Sequence, residues 1–440
     1  MNCQIKKKLP AFLIILLLPM LSFAQDGAVD TGNTAWMLMA TALVMLMTPA
    51  GLALFYGGLT QHKSVLNTVG MSYVSFLIGT LVWVIIGYSL SFADGNGFIG
   101  GLDYVLLKNI AITDIVDGAN IPKILDVAFQ GTFAAIAVAI VSGSVIERIR
   151  FSSWIWFAIL WIVVVYAPIC HWVWGSEGFL HGDLDFAGGT VIHINAGVSG
   201  LVLALLVGRR MNLHEERKPS SIKFMILGSA LLWFGWFGFN GGSAYGANFL
   251  AANALMVTNI AACTAGVVWL IIEMVIIKKP TLIGVASGAI CGLVGITPAA
   301  GFVGVPGALV IGIISSVVGY LGVVKLKAYF GHDDTLDAFG MHGLVGIAGA
   351  LLTGVLANPA IDPSGVGALY GNPGQLLIQL KSVGATIVYS AVGTFVVYKI
   401  VALFTKGARI TKDLELEGMD IGYHGEQHIT IEREMVTDLT

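Results

Sequence analysis

The chain has 440 residues, of which 56% are hydrophobic and only 11% are charged. Soluble globular proteins carry about 25% charged residues, so this composition cannot cover a water-facing surface and places the chain in a lipid bilayer. Lys and Arg number 23 against 26 Asp and Glu, a net charge of −3 without the basic excess that would attract phosphates, so nucleic acid is not an expected partner. Disorder and a disulfide-stapled secreted fold are excluded on the same composition. Of the four Cys, Cys3 lies in a leader, and Cys170, Cys263 and Cys291 sit in apolar segments without metal-ligand spacing. They read as small packing residues, and neither metal nor cofactor is expected.

In chain order, Lys6, Lys7 and Lys8 precede the apolar run Ala11–Leu21, and Ser22-Phe23-Ala24 follows. A basic region, a short apolar run and a small-x-small site make a secretory signal peptide, residues 1–24, with Gln25 opening the mature chain outside the cytoplasm. Eleven apolar stretches follow, at about 33–58, 67–92, 124–145, 151–174, 189–208, 222–241, 253–277, 281–297, 304–326, 339–357 and 376–405. The expected fold is therefore an all-α polytopic membrane protein with a transmembrane domain over 25–406 and a polar tail over 407–440. Positive charge fixes the orientation. Twelve Lys and Arg, among them Lys63, Arg148, Arg210, Arg217 and Lys278, fall in the odd-numbered loops, against Lys108, Lys123 and Lys381 on the other side. The odd loops and the tail are thus inside, and the N-terminus is outside. A signal peptide on a multi-pass chain points to the cytoplasmic, inner membrane of a bacterium with two membranes.

Two pairs of segments resemble one another. The first span ends Phe55-Tyr56-Gly57-Gly58 and the sixth Phe239-Asn240-Gly241-Gly242; the fifth holds His193-x-x-x-Gly197-x-x-Gly200 and the tenth His342-x-x-x-Gly346-x-x-Gly349. An offset of five helices reverses direction across the bilayer, the signature of an inverted repeat of helices 1–5 and 6–10, with a long eleventh helix added. Ionisable residues at membrane depth are functional suspects, and His193 and His342 are the two exceptions to a pattern of charges at span ends. Glu147, Arg148, Arg150 and Glu273 read as interfacial anchors. A symmetric imidazole pair can pass a proton or orient a polar solute. Phe129 and Phe133 share a helix face, Trp174 closes the fourth span, and Trp236, Phe237 and Phe239 crowd the sixth just before Ser243. These aromatics are either an interfacial belt or a cage for a small cation. Asp185, just ahead of the fifth span, reads as a helix cap whose charge would also draw cations to the mouth.

Taken together, Phe55-Tyr56-Gly57-Gly58-Leu59, Ala128–Phe133, Glu147–Phe151, Asp185–Asn195, Gly235–Asn240 and Phe339–Gly343 resemble the ammonium transporter family (Amt/MEP/Rh), in its bacterial Amt branch, from Trp36 to about Glu426. The resemblance implies a homotrimer with one pore per protomer and ammonium or ammonia as substrate. It assigns Phe129, Trp174 and Ser243 to an outer ammonium site and Phe133 and Phe239 to a hydrophobic gate. His193 and His342 would be the pore's twin histidines, with Asp185 and Trp236 supporting. The tail segment Leu416–Glu426 would communicate between protomers and receive a PII-type signalling protein. Glu177 near the mouth and the tail beyond Glu426 depart from the pattern. Transport would then mean recruitment of the cation, its deprotonation near the gate, and passage of ammonia with coupled proton transfer. The rival readings are an ammonium sensor, a bis-histidine haem protein, an intramembrane protease and an Rh-like gas channel. The protease lacks a second catalytic group beside His193, so the expectation is not an enzyme.

Overall fold

The computed structural model describes residues 28–211, 213 and 218–427. The leader, Arg217 and the end of the tail lie outside the described residues. Ten helical stretches are long and apolar enough to cross a bilayer. They are α1 (Thr31–Leu59), α2 (His62–Phe92), α3 (Lys123–Ser142), α4 (Phe151–Trp174), α5 (Gly189–Val207), α6 (Ile222–Gly242), α7 (Phe249–Ile276), α9 (Val305–Phe330), α10 (Phe339–Leu356) and α11 (Gly374–Phe404). Between α7 and α9 lies a shorter apolar helix, α8 (Leu282–Ile296). Its 15 residues rise about 22 Å, less than the ~30 Å hydrocarbon core. Gly292 lets α8 press against α7, where an added Cβ would collide with the Ala261 carbonyl. The result is a multi-pass membrane protein. Two short hairpins, Gly95–Asn96 with Ile99–Gly100 and Ile115–Val116 with Ile121–Pro122, fill the loop between α2 and α3.

Burial divides the helices by role. In the most apolar window of α3, 89% of residues are buried, against 28% in α11, so α3 runs through the middle and α11 lies along the outside. Several helices contain a π-helical segment, in which one extra residue dislocates the hydrogen-bond ladder. In α1 this is Met47–Leu52, which includes Pro49, a residue with no N–H to give. In α5 and α10 it is the opening segment, Gly189–Ile194 and Phe339–Leu344, and each holds one of the two histidines.

The openings of α5 and α10 are built alike. The Asp185 carboxylate accepts from the backbone N–H groups of Gly188, Gly189, Thr190 and Val191 at 2.6–3.0 Å, and Asp334 Oδ2 accepts from Phe339 N at 2.8 Å. Each carboxylate stands eight residues before its histidine. Three residues after each, the backbone turns left-handed, at Gly188 (φ 109°) and at Asp337 (φ 60°).

On the face expected to be inner, the charges at the ends of the spans are not simple interfacial anchors. Arg148 is completely buried and donates to Gly208 O (2.8 Å), Ser144 O (2.9 Å), Thr335 Oγ1 (2.5 Å) and Asp333 O. Arg210 pairs with Asp333 and, at 3.3 Å, with Glu147, whose other oxygen accepts from Thr60 Oγ1 at 2.7 Å. A guanidinium needs several fixed acceptors to survive burial, and three loops supply them here. Glu273 is also buried, and it accepts from Trp269 Nε1 (3.1 Å) and Thr281 N (2.6 Å) rather than meeting lipid headgroups. The tail returns to the same face. Its short helix α12 (Lys412–Glu417) offers carbonyls to Lys63 Nζ at 2.8 and 3.1 Å, and Asp420 accepts from Leu66 N and Asn67 N at the start of α2 at 3.0 and 2.9 Å.

Candidate functional site

A cavity of about 290 Å³ opens on the opposite face, lined by Phe92, Gln130, Phe133, Trp174, Phe186, Ser243 and Tyr245. The end of α4 brings Trp174, whose Nε1 donates to Asp185 O at 2.8 Å and so fixes the ring. The end of α6 brings Ser243, whose hydroxyl donates to Phe239 O at 2.8 Å, leaving its lone pairs as an acceptor. Helix α3 brings Phe133, tilted against Trp174 at 6.0 Å between ring centroids. Of the expected outer site, Trp174 and Ser243 line this cavity and Phe129 does not. Phe129 is completely buried, edge-on to Phe133 (4.7 Å) and to Tyr245 (6.0 Å), one layer behind the wall. Its i, i+4 partner Phe133 lines the cavity.

Below the cavity the rings form an unbroken line. Phe133 and Phe239 meet at 4.5 Å, with both rings buried, and close the floor. Phe239 stacks on His193 at 6.1 Å and 24°, Trp236 stacks on His193 at 5.4 Å and 20°, and His193 stacks on His342 at 5.2 Å and 22°. Trp236 is held in place by its Nε1 donating to Thr297 Oγ1 at 2.9 Å. The two imidazoles share one hydrogen bond, Nδ1 to Nδ1, at 3.2 Å. Among the described residues no group of three or more His, Cys, Asp or Glu side chains stands close enough together to hold a metal ion. His193 Nε2 is buried and has no partner among the described residues. Beyond His342 lies a second cavity of about 10 Å³, lined by Leu52, Phe55, Ile136, Ile140, Leu232, Trp236, Ile290 and His342.

Asp185 does not face the outer cavity. It is buried, and its oxygens are taken up by the four N–H groups at the start of α5. Burial pushes its carboxyl above the ordinary range, and those four donors oppose the rise. Its part in the site is to fix α5 and, through its carbonyl, Trp174. Gln130, Tyr245 and Asp126 join the site without being among its expected residues. Asp126 is a buried carboxylate in the first turn of α3, bonded to Tyr245 OH (2.6 Å) and Tyr88 OH (2.8 Å). An acid inside the apolar stretch at 124–145 is the sequence signal that points to it.

The site can hold a small cation against ring faces, exclude water at two phenylalanines, and hand a small polar molecule to a histidine pair. Residues 35–429 match the sequence profile described as the Ammonium Transporter Family. The ammonium transporter of Aquifex aeolicus is 50% identical over 419 residues, covering 94% of this chain and 97% of that protein. The ammonium transporter of Bacillus subtilis is 45% identical over 399 residues, covering 90% and 98%. Among solved structures, Saccharomyces cerevisiae Mep2 superposes with a TM-score of 0.81 at 35% identity, over 88% of each chain. A structure titled Sensor Amt Protein gives 0.81 at 26% identity, over 89% of this chain and 98% of that one. The chain belongs to the Ammonium Transporter Family.

Proposed function

We propose that this protein recruits ammonium in the outer cavity, passes its proton near Phe133 and Phe239 to the His193–His342 imidazole pair, and conducts the ammonia that remains past those two residues. The observation that carries the reading is the unbroken line of rings from that cavity to the histidine pair. Ammonium and potassium ions are nearly the same size, so a size filter cannot separate them. Ammonium differs in donating hydrogen bonds and in being able to lose a proton. Desolvating an ion costs several kcal/mol even after relaxation, whereas neutral ammonia meets a far smaller barrier in an apolar passage. The passage supports that choice, since the two phenylalanines offer no ligand to a bare ion. The imidazole pair supplies one donor and one acceptor in line, as coupled proton transfer requires.

The same proposal takes eleven spans in inverted halves, counting the short α8, with the N-terminus outside and the tail inside. Its support is the matched opening of α5 and α10, with the same eight-residue spacing from carboxylate to histidine. A cleaved leader, a homotrimer in a bacterial cytoplasmic membrane and a PII-type partner for the tail belong to this reading. Their support is family membership and a tail that folds back on α2. The second reading is an ammonium sensor with little flux, favoured by the likeness to the Sensor Amt structure.

The test is charge displacement in proteoliposomes on an ammonium jump, with potassium as control. A sustained current for ammonium alone is expected, and a folded His193→Ala/His342→Ala double variant should lose it. An unchanged current in that variant would remove the relay. Silence of the wild-type protein in both current and internal-pH assays would favour the sensor.

A further inference from the structure

The outer cavity has a wall that the expected site does not include. Gln130 lines it and is buried, with 6% of its surface exposed, and its Oε1 has no partner among the described residues. The network behind it fixes which end of that amide points inward. A carboxylate only accepts, so the two hydroxyls at Asp126, Tyr88 OH at 2.8 Å and Tyr245 OH at 2.6 Å, must both donate to it. The Tyr245 proton is thereby committed, and the Tyr245 oxygen can only accept from Gln130, 2.7 Å away. Gln130 must therefore present its NH₂ to Tyr245 and turn its carbonyl oxygen the other way. The ring of Tyr245 itself lines the cavity, so the amide and the hydroxyl that orients it belong to one wall.

Resting on the ammonium reading above, we propose that Gln130 is a substrate-binding residue of the outer site, and that Tyr245 and Asp126 are positioning residues that aim its carbonyl oxygen at the cation. The cavity then offers two fixed acceptors, Gln130 Oε1 and Ser243 Oγ, beside the ring faces of Phe133 and Trp174. Ammonium has four N–H donors to place on such a set; potassium has none. The carboxylate lies three hydrogen bonds from the cation, through Tyr245 and Gln130, and polarises the chain in the direction that strengthens the acceptor. A buried carbonyl without a donor is unfavourable until a donor arrives, so the seat is built for a hydrogen-bonding guest.

The test uses Tyr245→Phe, which keeps the ring and removes the hydroxyl, and Gln130→Met, which keeps the length and removes the acceptor. The full-length protein is measured in two ways: ammonium-dependent flux in liposomes, and the thermal shift of detergent-solubilised protein in ammonium chloride against potassium chloride. In both variants the half-saturating ammonium concentration is expected to rise about ten-fold, the scale of one charge-assisted hydrogen bond, with the maximum rate largely kept. The preference for ammonium over methylammonium, which has one N–H fewer, should narrow at the same time. Unchanged half-saturation in both variants, or a fall in maximum rate alone, overturns the proposal. Because the thermal shift needs no flux, a wild-type protein that shifts with ammonium but carries none would overturn transport and leave the seat to be decided by the variants.

Discussion

Trp174 does two separable things, and the structure tells them apart. Its ring borders the cavity, and its Nε1–H ties it to Asp185 O at 2.8 Å. Trp174→Phe keeps an aromatic face and removes the tie, worth about 0.5–1.5 kcal/mol for an ordinary hydrogen bond. The expected result in a flux titration is a half-saturation raised about three-fold with an unchanged maximum rate. Trp174→Leu removes the face too and should cost considerably more affinity. Much of this site was legible residue by residue, because Trp, His and Ser stand out in apolar helices. Phe129 and Phe133 could not be separated in that way. Both lie on one face at i, i+4, and only the packing of Tyr245 against Phe129 shows which of the two reaches the cavity. Gln130 and Asp126 were hidden for a different reason. Their meaning rests on a tyrosine 115 and 119 positions away, a distance no local pattern spans.

Helix limits followed closely from apolar run length; the insides of the helices did not. Nothing in hydropathy distinguishes a π segment from a regular turn, yet both histidines lie in one. Both of these segments follow a capping carboxylate and a left-handed residue, Asp185 with Gly188 and Asp334 with Asp337. Asp185→Asn should show how far the start of α5 depends on its cap. The amide can satisfy some of the four N–H groups but turns its own NH₂ toward the rest. A loss of about 1–2 kcal/mol is expected in unfolding measurements, with a weaker grip on Trp174 and so a higher ammonium half-saturation. If thermal stability and half-saturation are both unchanged, the cap is not what orders this end of the helix.

Across the whole molecule, the end opposite the outer cavity is locked by charge. Burial pushes the Asp333 carboxyl up, but Arg148 and then Arg210 outweigh it and hold the group below the ordinary carboxylate range. A carboxyl lowered on folding contributes stability that is full above its unfolded pKa of about 3.9 and is lost as pH falls through the folded value. Unfolding in mild detergent should therefore accelerate below about pH 4, and Asp333→Asn should be weak at neutral pH with less further loss in acid. Arg148→Ala leaves Asp333 with one partner fewer and a set of buried carbonyls without a donor, so a loss of about 3–5 kcal/mol is expected. Composition showed that these charges exist, but not that loops more than 180 residues apart bring Arg148 and Thr335 together.

The chamber beyond His342 carries a further consequence. At about 10 Å³ it has space for one water-sized guest. A pore that seats several ions gains speed because an arriving ion repels the one ahead, and its opposing tracer fluxes then become interdependent. A single uncharged occupant exerts no such push. Isotopically labelled and unlabelled ammonium added on opposite sides should therefore cross independently, and their flux ratio should follow the first power of the concentration ratio.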